Sequence, residues 1–132
     1  MTTLADNHRL ARAYIDAVTA GDLPDSLLTD DMTAWLTTEG LISKERYQQA
    51  IHLLRAMLAE TIVFTVDAIT AEDDRAVIEA RSRGRLIDGN DYEQTYVFAL
   101  RLREGRIAHI AEHYNVAVVQ EKLLPLMKEK LQ

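Results

Sequence analysis

The segment EGRIAHIAEHYN, residues 104 to 115, alternates as a strand and carries one acid where apolar residues belong. Strand side chains alternate between faces, so Glu112 shares a side with Ala108, Ile110 and Tyr114. An ionised carboxylate is costly to remove from water. Either the strand ends there and Glu112 reaches solvent or a basic neighbour, or it lies in a pocket that uses it. In an apolar pocket the charged form is disfavoured and the pKa rises toward neutrality, where a carboxyl group works as a general acid or base. Tyr14 is the second candidate for chemistry. It sits on the apolar stripe of a helix, and its phenol either donates to a ligand oxygen or finds a partner within the core.

Other residues would shape such a pocket. Tyr92, Gln94, Tyr96, Phe98, Leu100 and Leu102 share one face of a strand. Gln94 there would orient a substrate carbonyl, hold Glu112, or be satisfied near the pocket mouth. Trp35, the only tryptophan, is either a pocket wall or core packing. The ligand-binding set read from the sequence is thus Trp35, Gln94, Tyr96, Phe98, Ile110 and Tyr114. His109 and His113 are four apart on a strand, about 13 Å by strand rise, too far to share a metal, so no metal site is expected. Both alternate away from Glu112, toward the outer face. Glu79, Arg81, Arg83, Glu93 and Arg101 make a mixed-charge strip there, which reads as cross-strand pairing or, less simply, an arginine site for an anion. Arg83-Gly84-Arg85 lacks the spacing of a phosphate loop.

The chain that must position these groups has 132 residues, enough for a single domain spanning 1–132. Its formal net charge of -6 disfavours nucleic acid and anionic membranes as partners. With no cysteine, disulfides, thiolate metal sites and cysteine nucleophiles are excluded. No apolar stretch approaches the roughly 20 residues of a membrane span and MTTLADNHRL has no signal-like core, so the expected location is cytoplasmic.

Leu10, Ala11, Tyr14, Ile15, Ala17 and Val18 recur at helical spacing up to Gly21, which predicts a helix over 3–20 with a glycine cap. A short second helix is expected over 22–29 and a strand over 32–37. Ser43 suits the N-cap of a third helix ending near Ala59, with Tyr47, Ala50, Ile51, Leu54, Met57 and Leu58 on one stripe. Beyond Thr61 the period becomes extended, and AEDD, IDGND and REG divide it into four strands of an antiparallel meander. The end, 116–132, is expected to be a helical extension broken near Pro125. Its apolar residues would cover either a partner or the chain's own pocket mouth. The order gives an α+β domain.

RAYIDAVTAGDL, LLTDDMTAW, ISKERY and DGNDYEQTYVFALRLREGRIAHIAEHYN, in this order, resemble the SnoaL-like family of the nuclear transport factor 2-like superfamily. The resemblance implies a cone-shaped roll in which a curved antiparallel sheet wraps three N-terminal helices and encloses an apolar pocket, and a homodimer paired through the outer sheet face. It also implies site residues. Tyr14 matches the tyrosine of ketosteroid isomerases, but the two aspartates of that family fall at about Leu36 and Phe98, so that mechanism is not expected. Glu112, six residues after Arg106, matches the pocket acid of SnoaL-like and limonene-epoxide-hydrolase-like relatives. The inward arginine and aspartate of those hydrolases are replaced by Ala80 and Ser82. The family hosts several activities, and fold does not choose among them. Two readings follow. One is a cofactor-independent enzyme of isomerase, cyclase, hydratase or hydrolase type, acting by proton transfer through Glu112 and Tyr14 on a small apolar oxygenated molecule. The other is a non-catalytic binding or dimerisation module.

Overall fold

Helix α1 (Leu4–Ala20) begins at a capping box: Thr3 accepts from the Asp6 backbone while the Asp6 side chain accepts from Thr3. It stops at Gly21, whose φ of 78° is the left-handed conformation that closes a helix, and the Arg55 side chain lies against this glycine where a Cβ would stand. The computed structural model describes residues 3–130. Met1, Thr2, Leu131 and Gln132 lie outside the described residues, and with them the ends of the expected 1–132 domain and 116–132 extension.

The expected second helix is only a 3-10 turn, Asp25–Leu27, because Leu28 already starts strand β1 (Leu28–Leu36). A short strand β2 (Gly40–Ser43), missed in the sequence, follows and delivers Ser43 as the N-cap of α2 (Lys44–Met57). The meander is β3 (Val63–Glu72), β4 (Arg75–Arg85), β5 (Asp91–Arg103) and β6 (Arg106–Tyr114). Glu104 and Gly105 both have positive φ, 53° and 76°, so the β5–β6 connection is a tight mirror-image turn that suits twisted strands.

The six strands form one curved sheet in the order β2-β1-β6-β5-β4-β3. All neighbours are antiparallel except β1 and β6, which pair in parallel, so the sheet is mixed where the sequence suggested an antiparallel one. A break in the β5–β6 register beside Ala108 turns Ile107 inward in its place: Ala108 does not share the inner face with Ile110, whereas Glu112 does.

One half of the inner face is filled. Ala11, Tyr14, Ile15 and Val18 of α1 press on Ile78, Phe98, Leu100 and Ile110. The buried Asn7 amide donates to the carbonyls of Glu72 and Asp73, fixing α1 on the β3–β4 hairpin. The other half is covered by α2 and the C-terminal helix α3, which runs Val116–Val118, passes through a π turn at Val119–Leu123 and continues over Leu124–Lys130. Helix α3 is not broken at Pro125. The wider π turn lies just before this proline, where its missing N–H and its ring would otherwise disrupt the helix. Among the described residues no helix is long and apolar enough to cross a membrane.

Candidate functional site

Where α2 and α3 stand off from the sheet, they leave a cavity of about 700 Å³. The inner face of β5 supplies Tyr92, Gln94 and Tyr96, and β6 supplies Glu112 and Tyr114. Leu53, Leu54 and Met57 of α2 and Val119, Leu123 and Met127 of α3 form the apolar walls. Helix α3 therefore supplies one wall of the chain's own pocket. At one side Thr37, Thr38, Glu39 and Arg46 make a polar margin, with Arg46 ion-paired to Glu39.

Glu112 stands at the boundary between filled and hollow halves, opposite Phe98 on β5 and Leu36 on β1. Its carboxyl group is partly buried. One oxygen accepts a 2.7 Å hydrogen bond from the Tyr47 hydroxyl, and Tyr47 is itself hydrogen-bonded to the hydroxyl of Tyr14. Tyr14 and Tyr47 are buried. Burial pushes the Glu112 carboxyl up to about 7, against the smaller downward effect of the Tyr47 hydrogen bond. Desolvation, first, and then the nearby Glu112 charge hold both tyrosines well above the usual phenol range, so they remain neutral donors. The main chain beneath the acid is fixed as well: the backbone and side chain of Thr37 both donate to the Glu112 carbonyl, at 3.3 and 3.2 Å.

The residues expected from the sequence separate into three groups. Glu112, Gln94, Tyr96 and Tyr114 line the cavity. Tyr14, Phe98 and Ile110 do not: they lie in the filled half, where Tyr14 meets Phe98 edge-on at 5.3 Å. Tyr14 thus reaches Glu112 only through Tyr47 and is not placed to touch a ligand in the cavity. Trp35 lies on the opposite side of β1 from the buried Ala34 and Leu36, tilted against His113 at 4.9 Å on the outer face, and is no pocket wall. Gln94 does not hold Glu112. Its oxygen accepts from the backbones of Thr95 and Asn115 and its amide donates to the Asn115 carbonyl, which anchors the start of α3. Nor does His109 act within the cavity, since its Nδ1 pairs with the Thr33 hydroxyl at 2.8 Å. On the strip, Arg81 grips Asp67 with two hydrogen bonds of 2.9 and 3.0 Å. Among the described residues there is no group of three or more histidines and acids that could hold a metal ion.

Tyr47 is the site residue that periodicity alone does not reveal, because it reads as one apolar position of a helical stripe. The usable signal was chemical: a phenol on a buried stripe needs a partner, and the inner face offers one unpaired acid.

The SnoaL-like domain family matches residues 11–110, most of the chain. The chain belongs to the SnoaL-like family. The matched region ends two residues before Glu112, so this acid is assigned by geometry and not by the family match. No curated protein matches the SnoaL-like chain. Solved structures do. An NTF2-like protein of Anabaena variabilis ATCC 29413 is 22% identical with a TM-score of 0.74, the alignment covering 87% of this chain and 94% of that one. PrhC of Penicillium brasilianum NBRC 6234 is 14% identical with a TM-score of 0.81, covering 98% and 92%. An LEH-like epoxide hydrolase of M. tuberculosis is 14% identical with a TM-score of 0.71, covering 96% and 98%. At these identities the likeness concerns the fold alone.

Proposed function

We propose that this SnoaL-like protein binds a small apolar oxygenated molecule in the 700 Å³ cavity and moves a proton on it with Glu112. The observation that carries this reading is a carboxyl group on an apolar wall with one oxygen held by Tyr47. With a pKa of about 7 it is present in both forms near neutral pH, so it can take a proton from carbon and return it elsewhere. The Tyr14–Tyr47 pair keeps the carboxyl oriented and spreads its charge. Apolar walls exclude water and strengthen each hydrogen bond made to the substrate. Isomerisation and cyclisation draw on this step at carbon, whereas in hydration or hydrolysis the same carboxylate would take the proton from the attacking water.

The test is hydrogen–deuterium exchange at the carbons flanking the carbonyl of 2-tetralone, followed by NMR. The protein should accelerate exchange saturably, and Glu112→Gln should lose at least about 100-fold of that acceleration. Saturable binding with no acceleration would overturn the catalytic reading and leave a ligand-binding module.

The outer sheet face supports pairing of two copies. Trp35 lies tilted against the exposed His113, and exposed Val97 stands opposite His113 in the β5–β6 register. Sedimentation of wild type as a dimer and of Trp35→Glu as a monomer is the expected result; a wild-type monomer would exclude it.

A further inference from the structure

Five tyrosines occur in the chain, and the charge of Glu112 acts on all of them. Four have a close hydroxyl partner. Tyr14 and Tyr47 hold each other, Tyr96 holds Ser82 at 2.8 Å, and Tyr114 holds Thr38 at 2.5 Å. Tyr92 is the exception. Its side chain is buried, 2% exposed, and lines the cavity, yet its hydroxyl has only long contacts, to Tyr96 at the outer limit of 3.5 Å and to the neighbouring Gln94 side chain. A contact that long is a weak hydrogen bond, so the Tyr92 hydroxyl can turn to a better-placed acceptor inside the cavity. Tyr92 and Glu112 also stand at different levels of the sheet. Glu112 pairs with Phe98 across the ladder, and Tyr92 lies six residues back along β5, toward the apolar end formed by Met57, Leu123 and Leu126. The Tyr96 hydroxyl stands between them, already committed to Ser82. Charge points the same way. The cavity's arginine is matched by Glu39, leaving no unpaired cation among its lining residues to meet an anionic ligand.

We infer that the ligand is an uncharged, elongated apolar molecule with two oxygen functions, one met by Glu112 and the other, at the far end, by a hydrogen bond from Tyr92. The inference rests on the cavity being a ligand site, and it makes Tyr92 a specificity residue that discriminates between ligands without taking part in proton transfer.

Binding of three probes distinguishes the two ideas: 2-naphthol, 2,6-dihydroxynaphthalene and naphthalene-2-carboxylate, each titrated by fluorescence. Wild type should bind the diol about 3- to 10-fold more tightly than the mono-ol, the worth of one additional hydrogen bond, and the carboxylate most weakly. Tyr92→Phe should bind diol and mono-ol alike while its affinity for the mono-ol stays within about twofold. A general loss of packing would weaken both probes equally and leave their ratio intact, so the ratio reports the hydroxyl alone. An unchanged diol preference in Tyr92→Phe, no preference in wild type, or tightest binding of the carboxylate would each overturn the inference while the cavity reading stood. Failure of all three probes to bind would remove the cavity reading and the inference with it. Glu112→Gln, tested with the same probes, should keep the diol preference, because Tyr92 acts at the other end.

Discussion

The two halves of the inner sheet face are built by the same alternation on β5, yet one is solid and the other hollow. Leu100 and Phe98 meet Ala11, Tyr14 and Ile15 of α1, and no space remains. Tyr92 and Tyr96, on the same face of the same strand, look across a cavity of about 700 Å³ toward α2 and α3. Strand chemistry does not decide the difference; the covering helix does. Helix α1 lies on the sheet, tied by Asn7 to the β3–β4 hairpin, whereas α2 and α3 bridge over it. The filled half supplies rigidity, and Glu112 is held on its border by Tyr47 and Tyr14, so a stable wall orients a group that works in an open space.

The strongest test of this contrast is truncation on either side of the border. Phe98→Ala in the filled half removes a ring that touches Tyr14, Phe64 and Tyr96, and should cost about 3–5 kcal/mol in urea unfolding. A value near that of a cavity-wall truncation would break the distinction between halves.

Next in size is the pH dependence of stability. Glu112 is shifted from 4.5 to about 7 in the fold, so the folded protein binds its proton more tightly than the unfolded chain does. Stability is therefore favoured at low pH with respect to this group, and is lost as pH rises from 4.5 through about 7. Between pH 5 and 8 the loss should be about 2–3 kcal/mol, and Glu112→Gln should abolish it, seen as convergent urea midpoints for the variant at the two pH values. An unchanged slope in the variant would mean that the acid is not desolvated.

Tyr47→Phe should cost about 1–2 kcal/mol and move the Glu112 titration upward, because the lost hydrogen bond was the one effect lowering it. An NMR titration of the side-chain carboxyl reads this directly. The smallest effect is expected for Met127→Ala on the cavity wall. That side chain already faces empty space, so truncation forfeits only partial burial, about 1 kcal/mol, with little added cavity cost.

Much of this arrangement is visible in the sequence wherever the deciding forces are local. Alternation and turn residues mark β3 to β6, and Gly21 and Ser43 mark helix ends because each satisfies a cap by its own chemistry. Strand β2 is too short for a periodic signal, and the acidic pair Asp30–Asp31 hides the first half of β1. The parallel β1–β6 pairing leaves no local trace, since it joins segments far apart in the chain. For the site, Glu112 stands out as an acid in apolar company. Tyr47 does not, because a tyrosine suits a packed stripe and a polar site equally well. The outer-face position of Trp35 is hidden for a related reason: a large aromatic fits either face of a strand that is covered on one side only.

The parallel strand pairing has a consequence for synthesis. During translation β1 emerges early but finds its central neighbour only when β6, some seventy residues later, has left the ribosome. Until then β1 has only the short β2 beside it, and neither Thr37 nor Leu36 has a counterpart at Glu112. The acid and the floor that holds it are thus completed together, and only once β6 is present, so a nascent chain stalled before β6 carries an open sheet and no site at all.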